Sequence, residues 1–189
     1  MIYKNKNFFI EKVKVSKLAK TYSTPLYCYS YKKLSENINY FKRIFKSIDP
    51  LICFSVKSNP NKILLSEICK LGLGADVVSI GELMRSLKAG IKPNKIVFSG
   101  VGKTSKEISY AIQKKILLIN AESKSEVLEI EKLAKAKKRK VNIGLRLNPN
   151  TDARTLSQIS TGKKENKFGV SEKTFLELID YIKKSNFID

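Results

Sequence analysis

The sequence contains no histidine among its 189 residues. Without an imidazole, the chain has no His-based metal site, no Ser-His-Asp triad, no Cys-His pair and no histidine acid or base. Long apolar runs are also missing: the longest are short strand-like stretches such as residues 116–119, which excludes a transmembrane helix. The N-terminal stretch MIYKNKNFFIEKVK has no continuous apolar segment, and we therefore expect no signal peptide.

Cysteine is scarce and forms no pattern of paired ligands. The three cysteines, Cys28, Cys53 and Cys69, are an odd number and include no CxxC pair. Each lies in an apolar stretch, which favours reduced thiols in a cytosolic protein. We therefore expect a cytoplasmic protein without a metal site.

Acidic residues are few compared with basic ones: 17 Asp and Glu stand against 37 Lys and Arg, for a net charge of +20. Such a charge raises the question of nucleic acid. Only 5 of the 37 basic residues are arginine, the residue preferred for bidentate phosphate and base contacts, and the lysines are spread along the chain. We interpret the charge as a lysine-rich solvated surface and expect neither a nucleic-acid nor a membrane partner. Nucleic-acid binding is kept as a minor alternative.

Short apolar runs alternate with helix signals along most of the chain. Five runs start 20 to 25 residues apart, at residues 51–56, 75–78, 95–98, 116–119 and 141–147. Three are followed by a capping box, in which a Ser or Thr and a Glu three residues later satisfy free amide groups: Ser79/Glu82, Thr104/Glu107 and Ser123/Glu126. Helix stops follow at Gly72, Gly90 and Pro93. This pattern predicts successive βα units with parallel strands.

Further elements flank these units on both sides. Residues 25–30 are strand-like, and an amphipathic helix follows, with apolar residues from Leu34 to Ile48 on one stripe. Near the C-terminus, Ser171 to about Lys184 forms the last predicted helix. The intervening residues 148–170 have no periodicity, and a loop of that length in a compact domain is usually functional or disordered.

Five βα units fit either an open doubly wound sheet or part of a (βα)8 barrel. In the first run the bulky side chains share one face, and Cys53, Ser55 and Lys57 share the other. Residues 141–147 repeat this pattern, with Arg146 on the more polar face. An open sheet covered by helices on both faces would be apolar on both. We therefore expect an α/β protein with a partial (βα)8 TIM-type barrel, whose chemistry lies at the carboxyl ends of the strands.

Lys57 is a candidate nucleophile because it ends an apolar strand on the side assigned to the interior. Desolvation and neighbouring cations at such a position disfavour an ammonium. A deprotonated lysine attacks a carbonyl and forms a Schiff base. The alternative is a strand-terminal lysine that extends its ammonium into solvent.

Two further charged residues lie on the predicted strands. A carboxylate in the apolar stretch around Asp76 must be capped or paired, either at the start of the following helix or with a cation such as Lys57. At the barrel mouth, Arg146 would hold a phenolate, phosphate or carboxylate, or else form a structural ion pair.

The aperiodic loop and a glycine-rich stretch are the remaining candidates. Residues 160–169 carry hydroxyls, glycines and cations suited to an anionic substrate, although a solvated surface loop would look similar. GVGKT at residues 100–104 superficially resembles a phosphate-binding loop, but its spacing does not match GxxxxGK[ST]. We therefore reject an NTP site there.

The sequence resembles the N-terminal part of the diaminopimelate decarboxylases, pyridoxal-phosphate enzymes of the alanine-racemase-like fold. The matching stretches occur in family order over nearly the whole chain: YSTPLY at residues 22–27, CFSVKSN at 53–59, GLGADVVS at 72–79, GEL at 81–83, IVFSGVGKT at 96–104, LRLNP at 145–149 and ISTGKKENKFG at 159–169. SGVGKT together with the ISTG…ENKFG loop distinguishes this decarboxylase within the wider fold.

The resemblance implies that Lys57 binds pyridoxal 5'-phosphate covalently through its side-chain nitrogen. It also implies that Asp76 and Arg146 lie near the cofactor, and that the loop borders the active site, with Ser160, Thr161, Gly162 and Lys167 as substrate-loop residues. The implied reaction converts meso-diaminopimelate to L-lysine and carbon dioxide, in an enzyme that is a homodimer when complete.

The chain also departs from the family pattern. Leu156 replaces a frequent histidine and Ile80 a frequent glycine. The family chain is about twice as long, given a full barrel of about 250 residues and a β domain. The resemblance implies that the other half of the family chain contains the His-x-Gly-Ser stretch, the Gly-rich phosphate site and the acidic partner of the pyridine nitrogen.

We therefore expect an N-terminal fragment that is inactive alone. Residues 1–30 would be a segment with a strand that joins the absent C-terminal β domain, and residues 31–189 an incomplete barrel. The alternatives are a related decarboxylase of basic amino acids and a non-catalytic pyridoxal-phosphate-binding protein.

Overall fold

The computed structural model describes residues 2–151 and 168–189. The chain divides into two compact units, Met1–Pro50 and Leu51–Asp189.

The first unit joins a small antiparallel sheet to two helices. Its elements are β1 (Ile2–Lys4), β2 (Asn7–Ile10), β3 (Val13–Lys14), α1 (Val15–Tyr22) and α2 (Tyr31–Ile44), and β2 is the central strand. A side-chain cap starts α2, because Ser30 Oγ accepts a hydrogen bond from the Lys33 amide at 3.0 Å. The predicted amphipathic helix is confirmed, although its last turn, Lys46–Ile48, is a separate 3-10 helix.

The strand expected at residues 25–30 is not formed. This stretch has no strand partner among residues 2–151 and 168–189, and unpaired backbone amides do not make a sheet. The assignment of residues 1–30 to a segment that joins a β domain, and of residues 31–189 to an incomplete barrel, stays a prediction.

The second unit is a five-stranded parallel sheet whose strands alternate with helices. The strands are β4 (Cys53–Ser55), β5 (Gly74–Val77), β6 (Ile96–Phe98), β7 (Leu118–Ala121) and β8 (Ile143–Leu145). The helices are α3 (Lys62–Lys70), α4 (Ile80–Lys88), α5 (Ser105–Lys114), α6 (Lys124–Ala136) and α7 (Glu172–Ile182). All five strands pair in chain order. An open doubly wound sheet reverses its strand order, so this order confirms the predicted barrel-type architecture.

The hydrophobic core lies on one face of this sheet. Fully buried side chains on that face include Val77, Phe98 and Ile119, and they pack with Leu83, Ile108 and Ile130 from the helices. The intervening strand residues, such as Asp76, are less buried and point to the opposite face because successive side chains alternate. The prediction that the bulky face packs under helices is therefore confirmed.

Side-chain caps fix where the helices begin. Ser79, Thr104 and Ser123 cap α4, α5 and α6 by accepting a hydrogen bond from the amide three residues later. Of the three predicted capping boxes, Thr104 and Glu107 complete theirs. Glu82 accepts instead from the Val78 amide at 2.9 Å, and Glu126 from the Glu122 amide at 2.8 Å. These two glutamates thus attach the carboxyl ends of β5 and β7 to the following helices.

None of the described helices combines the length and the apolar character needed to cross a bilayer.

Candidate functional site

Lys57 lies just beyond β4, in a single 3-10 turn over Val56–Ser58. The turn is fixed by two hydrogen bonds, from Ser58 Oγ to the Ser55 carbonyl at 2.7 Å and from the Asn59 amide to the Val56 carbonyl at 3.0 Å. Val56 is fully buried and anchors the turn, whereas Lys57 is exposed. The strand therefore ends two residues earlier than predicted, and the expected burial of Lys57 is not observed. Among the described residues, its ammonium has no hydrogen-bond or ion-pair partner.

Asp76 belongs to a hydrogen-bond chain that crosses three neighbouring strands. Ser99 Oγ donates to Asp76 Oδ1 at 2.6 Å, and Asn120 Nδ2 donates to Ser99 Oγ at 3.0 Å. Neither role expected for Asp76 is observed: Ser79 caps the following helix, and Lys57 forms no ion pair with it. The reason is the parallel register, which brings the ends of β5, β6 and β7 together on one face.

A missing side chain on β8 accommodates this chain of hydrogen bonds. Gly144 lies beside Asn120 in the parallel register. A Cβ atom at residue 144 would lie 2.2 Å from Asn120 Oδ1, which is far closer than van der Waals contact. The Asn120 amide therefore lies directly over Gly144, and its orientation depends on the absence of a side chain there.

Cys53 lies on the same face of the sheet, two positions before the residue that pairs with Asp76 in the register. Burial raises the pKa of the Cys53 thiol, and the nearby negative charge of Asp76 raises this pKa further. The thiol therefore stays protonated and is a poor nucleophile at neutral pH. All three cysteines are free thiols, as expected.

Arg146 follows β8 and forms an ion pair with Glu122. Its Nη1 lies 3.0 Å from Glu122 Oε1 and 3.3 Å from Oε2. The Glu122 side chain is 3% exposed and that of Arg146 is 40% exposed, so part of the Arg146 side chain faces solvent. The Phe168 ring lies beneath the guanidinium, 4.8 Å from its central carbon. The structural ion pair considered for Arg146 is therefore present, and its role toward a ligand stays a prediction.

Lys103 is the best-satisfied cation near the strand ends. Its side chain is 1% exposed, and its ammonium contacts Glu126 Oε1 at 2.7 Å. It also donates to the carbonyls of Gly100 at 2.6 Å and Asn120 at 2.7 Å. An ammonium has three donors, so this one has none left for a phosphate. The geometry agrees with the rejection of an NTP site at GVGKT.

The four predicted substrate-loop residues, Ser160, Thr161, Gly162 and Lys167, lie outside the described residues. No group of three metal-ligating side chains converges within residues 2–151 or 168–189.

Sequence reasoning missed Ser99, Asn120 and Glu122. The first two follow the inner-face alternation of their strands, and this signal could have identified them. Glu122 has no such signal, because its partner Arg146 is 24 residues away in sequence.

Comparisons with known proteins cover nearly the whole chain. Residues 31–188 match the family model of the pyridoxal-dependent decarboxylases, pyridoxal binding domain. The chain is 50% identical over 172 residues to the diaminopimelate decarboxylase of Helicobacter pylori strain J99, covering 91% of this chain and 42% of that protein. It is 40% identical over 182 residues to the Aquifex aeolicus enzyme, covering 96% and 43%.

Two crystal structures extend this similarity to the fold. The Helicobacter pylori diaminopimelate decarboxylase complexed with L-lysine superposes with a TM-score of 0.89 at 48% identity, covering 92% of this chain and 44% of that one. The M. jannaschi enzyme gives 0.90 at 33% identity, covering 100% and 45%. The chain therefore spans somewhat less than half the length of these relatives.

Proposed function

Because the chain belongs to the pyridoxal-dependent decarboxylase family and carries its pyridoxal-binding domain, we propose that its protein decarboxylates meso-2,6-diaminopimelate to L-lysine and carbon dioxide. The observation that carries this proposal is the 50% identity to a diaminopimelate decarboxylase over 91% of the chain. The matched region includes the strand ends where Lys57, Asp76 and Arg146 lie. We place the protein in the cytoplasm, consistent with its three free thiols.

The side chains at these strand ends fit pyridoxal phosphate by their chemistry. The cofactor carries an aldehyde, a phenolic oxygen, a ring nitrogen and a phosphate. A lysine amine without a protein partner suits the aldehyde, and Lys57 has no partner among the described residues. Asp76 Oδ2 accepts no hydrogen bond from a described residue, and the Arg146 side chain is 40% exposed, which leaves an acceptor and a cationic side chain for a ligand.

Each of these residues has a distinct task in the proposed reaction. Lys57 would hold the cofactor through its side-chain nitrogen, and the exposed turn over Val56–Ser58 would let a substrate amine approach and replace that nitrogen, which leaves as the free lysine amine. Arg146, fixed on one side by Glu122, would orient an anionic group. Asp76 would accept a hydrogen bond from the bound ligand. When bound, the cofactor supplies a ring that takes up the electron pair left as the carboxylate departs as carbon dioxide.

We propose further that the 189 residues do not catalyse this reaction by themselves. The chain spans 42% of the Helicobacter pylori relative, and the parallel sheet formed by residues 2–151 and 168–189 has five strands where a closed barrel of this type has eight. The complete protein would be a homodimer.

The test compares the complete reading frame of the gene with the 189-residue chain. Both proteins receive pyridoxal phosphate and meso-diaminopimelate, and carbon dioxide and lysine are measured. We expect activity in the complete protein, none in the 189-residue chain, and a loss of at least about a thousandfold in Lys57→Ala. Lys62→Ala, which changes an exposed lysine at the start of α3, is the matched control.

A second measurement assigns the lysine that binds the cofactor. Borohydride treatment followed by peptide mass spectrometry should mark Lys57 and leave Lys62 unmarked. Activity that survives Lys57→Ala would exclude the assigned role. Activity toward another basic amino acid instead would favour the related decarboxylases. Cofactor binding without carbon dioxide release from any of them would favour a non-catalytic pyridoxal-phosphate protein.

A further inference from the structure

The hydrogen bonds that join Asn120, Ser99 and Asp76 run in one direction. A carboxylate has no proton to donate, so the 2.6 Å contact between Ser99 Oγ and Asp76 Oδ1 must use the single proton of the Ser99 hydroxyl. Ser99 can then only accept from Asn120, and it does so from Nδ2 at 3.0 Å. Each member of the chain therefore has a fixed role as donor or acceptor.

The Asn120 end of this hydrogen-bond chain is fixed by other groups of the protein. The Lys103 ammonium forms an ion pair with Glu126 and also donates to the Asn120 backbone carbonyl at 2.7 Å. Gly144 leaves the space that the Asn120 side chain occupies. Asn120 is thus restrained from its backbone and along its side chain, and a restrained amide orients the Ser99 hydroxyl.

The Asp76 end of the hydrogen-bond chain is different, because Asp76 accepts a hydrogen bond through only one of its two oxygens. Oδ1 accepts from Ser99, whereas Oδ2 accepts from no described residue. A partly buried carboxylate oxygen without a partner is costly unless a ligand or solvent donates to it. We propose that Ser99 and Asn120 are positioning residues that hold Asp76 as an anionic acceptor, so that Oδ2 receives a hydrogen bond from the bound cofactor or substrate. The identity of that ligand rests on the proposed function, whereas the direction of the chain does not.

The experiment reverses the direction of the hydrogen bonds between residues 76, 99 and 120, with almost no change in the size of the side chains. Asn120→Asp is almost isosteric, but its carboxylate competes with Asp76 for the one Ser99 proton and adds a like charge. The double variant Asp76→Asn/Asn120→Asp lets residue 76 donate to Ser99 and Ser99 donate to residue 120. All hydrogen bonds are restored, and the negative charge moves from residue 76 to residue 120.

Two quantities are measured on the complete protein. The first is the midpoint of thermal unfolding without cofactor, and the second is the Kd for pyridoxal phosphate by equilibrium dialysis. Asn120→Asp should lower the midpoint more than Asn120→Ala, and the double variant should recover most of that loss. The affinity for pyridoxal phosphate should fall about tenfold or more in both Asn120→Asp and the double variant. Ser99→Thr, which keeps the hydroxyl, should bind better than Ser99→Ala.

Three outcomes would overturn the proposal. If Asn120 only fills space, the near-isosteric Asn120→Asp would be milder than Asn120→Ala, and the double variant would recover nothing. If the double variant recovered the affinity together with the stability, the position of the negative charge would be irrelevant to the ligand. If the wild-type protein bound no pyridoxal phosphate, the ligand assignment and the proposed function would both fail, while the order of unfolding midpoints would still decide the direction of the chain.

Discussion

The two faces of the parallel sheet are built in different ways. On the helix-covered face, Val77, Phe98 and Ile119 are fully buried and apolar. On the other face, Asp76 and Asn120 come from the same strands, are partly buried and depend on hydrogen bonds with defined direction. Because side chains alternate along each strand, the residues that stabilise the fold and the residues proposed to bind a ligand lie on opposite faces of the sheet. Substitutions one residue apart should therefore have different consequences.

The largest effect is expected on the covered face. Phe98→Ala removes a fully buried ring and should lower the free energy of unfolding by about 3–5 kcal/mol, because a cavity remains. Val97→Ala, the neighbouring residue on the other face, is half-buried and should cost about 1 kcal/mol. Urea unfolding followed by circular dichroism measures both. Equal losses would show that the two faces do not differ in this way.

A smaller but still large effect is expected for Lys103. This residue does not fit the comparison between an apolar buried face and a polar, partly buried face, because it is both charged and buried. Lys103→Met leaves the buried Glu126 carboxylate without its cation and should cost about 3 kcal/mol in urea unfolding. The exposed pair Lys132–Glu129 provides the control, and Lys132→Met should cost at most about 1 kcal/mol. If the two substitutions cost the same, burial of the pair would have no energetic consequence.

A moderate effect is expected at Cys53, which reports on the charge of the polar face. Burial and the Asp76 charge both raise the pKa of this thiol. Asp76→Asn removes the negative charge, so the pKa should fall and the thiolate fraction rise. Alkylation by iodoacetamide at pH 8, with Cys28 and Cys69 changed to serine, should therefore become faster, because the thiolate is the reactive form. Asp180→Asn, a distant exposed carboxylate, is the control; an identical rate in both variants would contradict the assignment.

The smallest effect is expected at Glu107, whose titration makes the stability of the fold depend on pH. Burial acts to raise the pKa of Glu107, but hydrogen bonds from the Thr104 and Ile80 amides and the Thr104 hydroxyl outweigh it, and the pKa lies below its usual 4.5. A carboxyl group with a lowered pKa stabilises the fold at pH values above its usual pKa. This contribution is lost as the pH falls through the lowered pKa. Between pH 5 and pH 3, the melting temperature of Glu107→Gln should therefore fall less steeply than that of the wild type. Glu177→Gln should follow the wild type, and parallel curves for all three proteins would refute the expectation.

The sequence predicted the order, spacing and parallel arrangement of the five strands because apolar runs and caps are local signals. It also predicted which face of β4 and of β8 packs under the helices, since alternation needs no tertiary information. The end of β4 was placed two residues too late, because Lys57 continues the alternation although the backbone already turns at Val56.

The partners of the site residues could not be predicted in the same way. The contact of Asp76 with Ser99 depends on the register between strands 23 residues apart in sequence, and that of Arg146 with Glu122 spans 24 residues. Local patterns give the residue types at strand ends but not which hydroxyl or carboxylate a neighbouring strand delivers. Lys103 illustrates this, because its three acceptors come from a loop, a strand and a helix.

Gly144 has a consequence for how this protein can vary. Since a side chain at residue 144 would collide with the Asn120 amide, the two positions form one unit in which bulk is shared. Among homologues, a residue larger than glycine at position 144 should occur together with a shorter side chain at position 120. A library that randomises residue 144 alone would mostly sample collisions with Asn120, whereas paired codons for residues 120 and 144 would explore the sequences that this part of the sheet can accommodate.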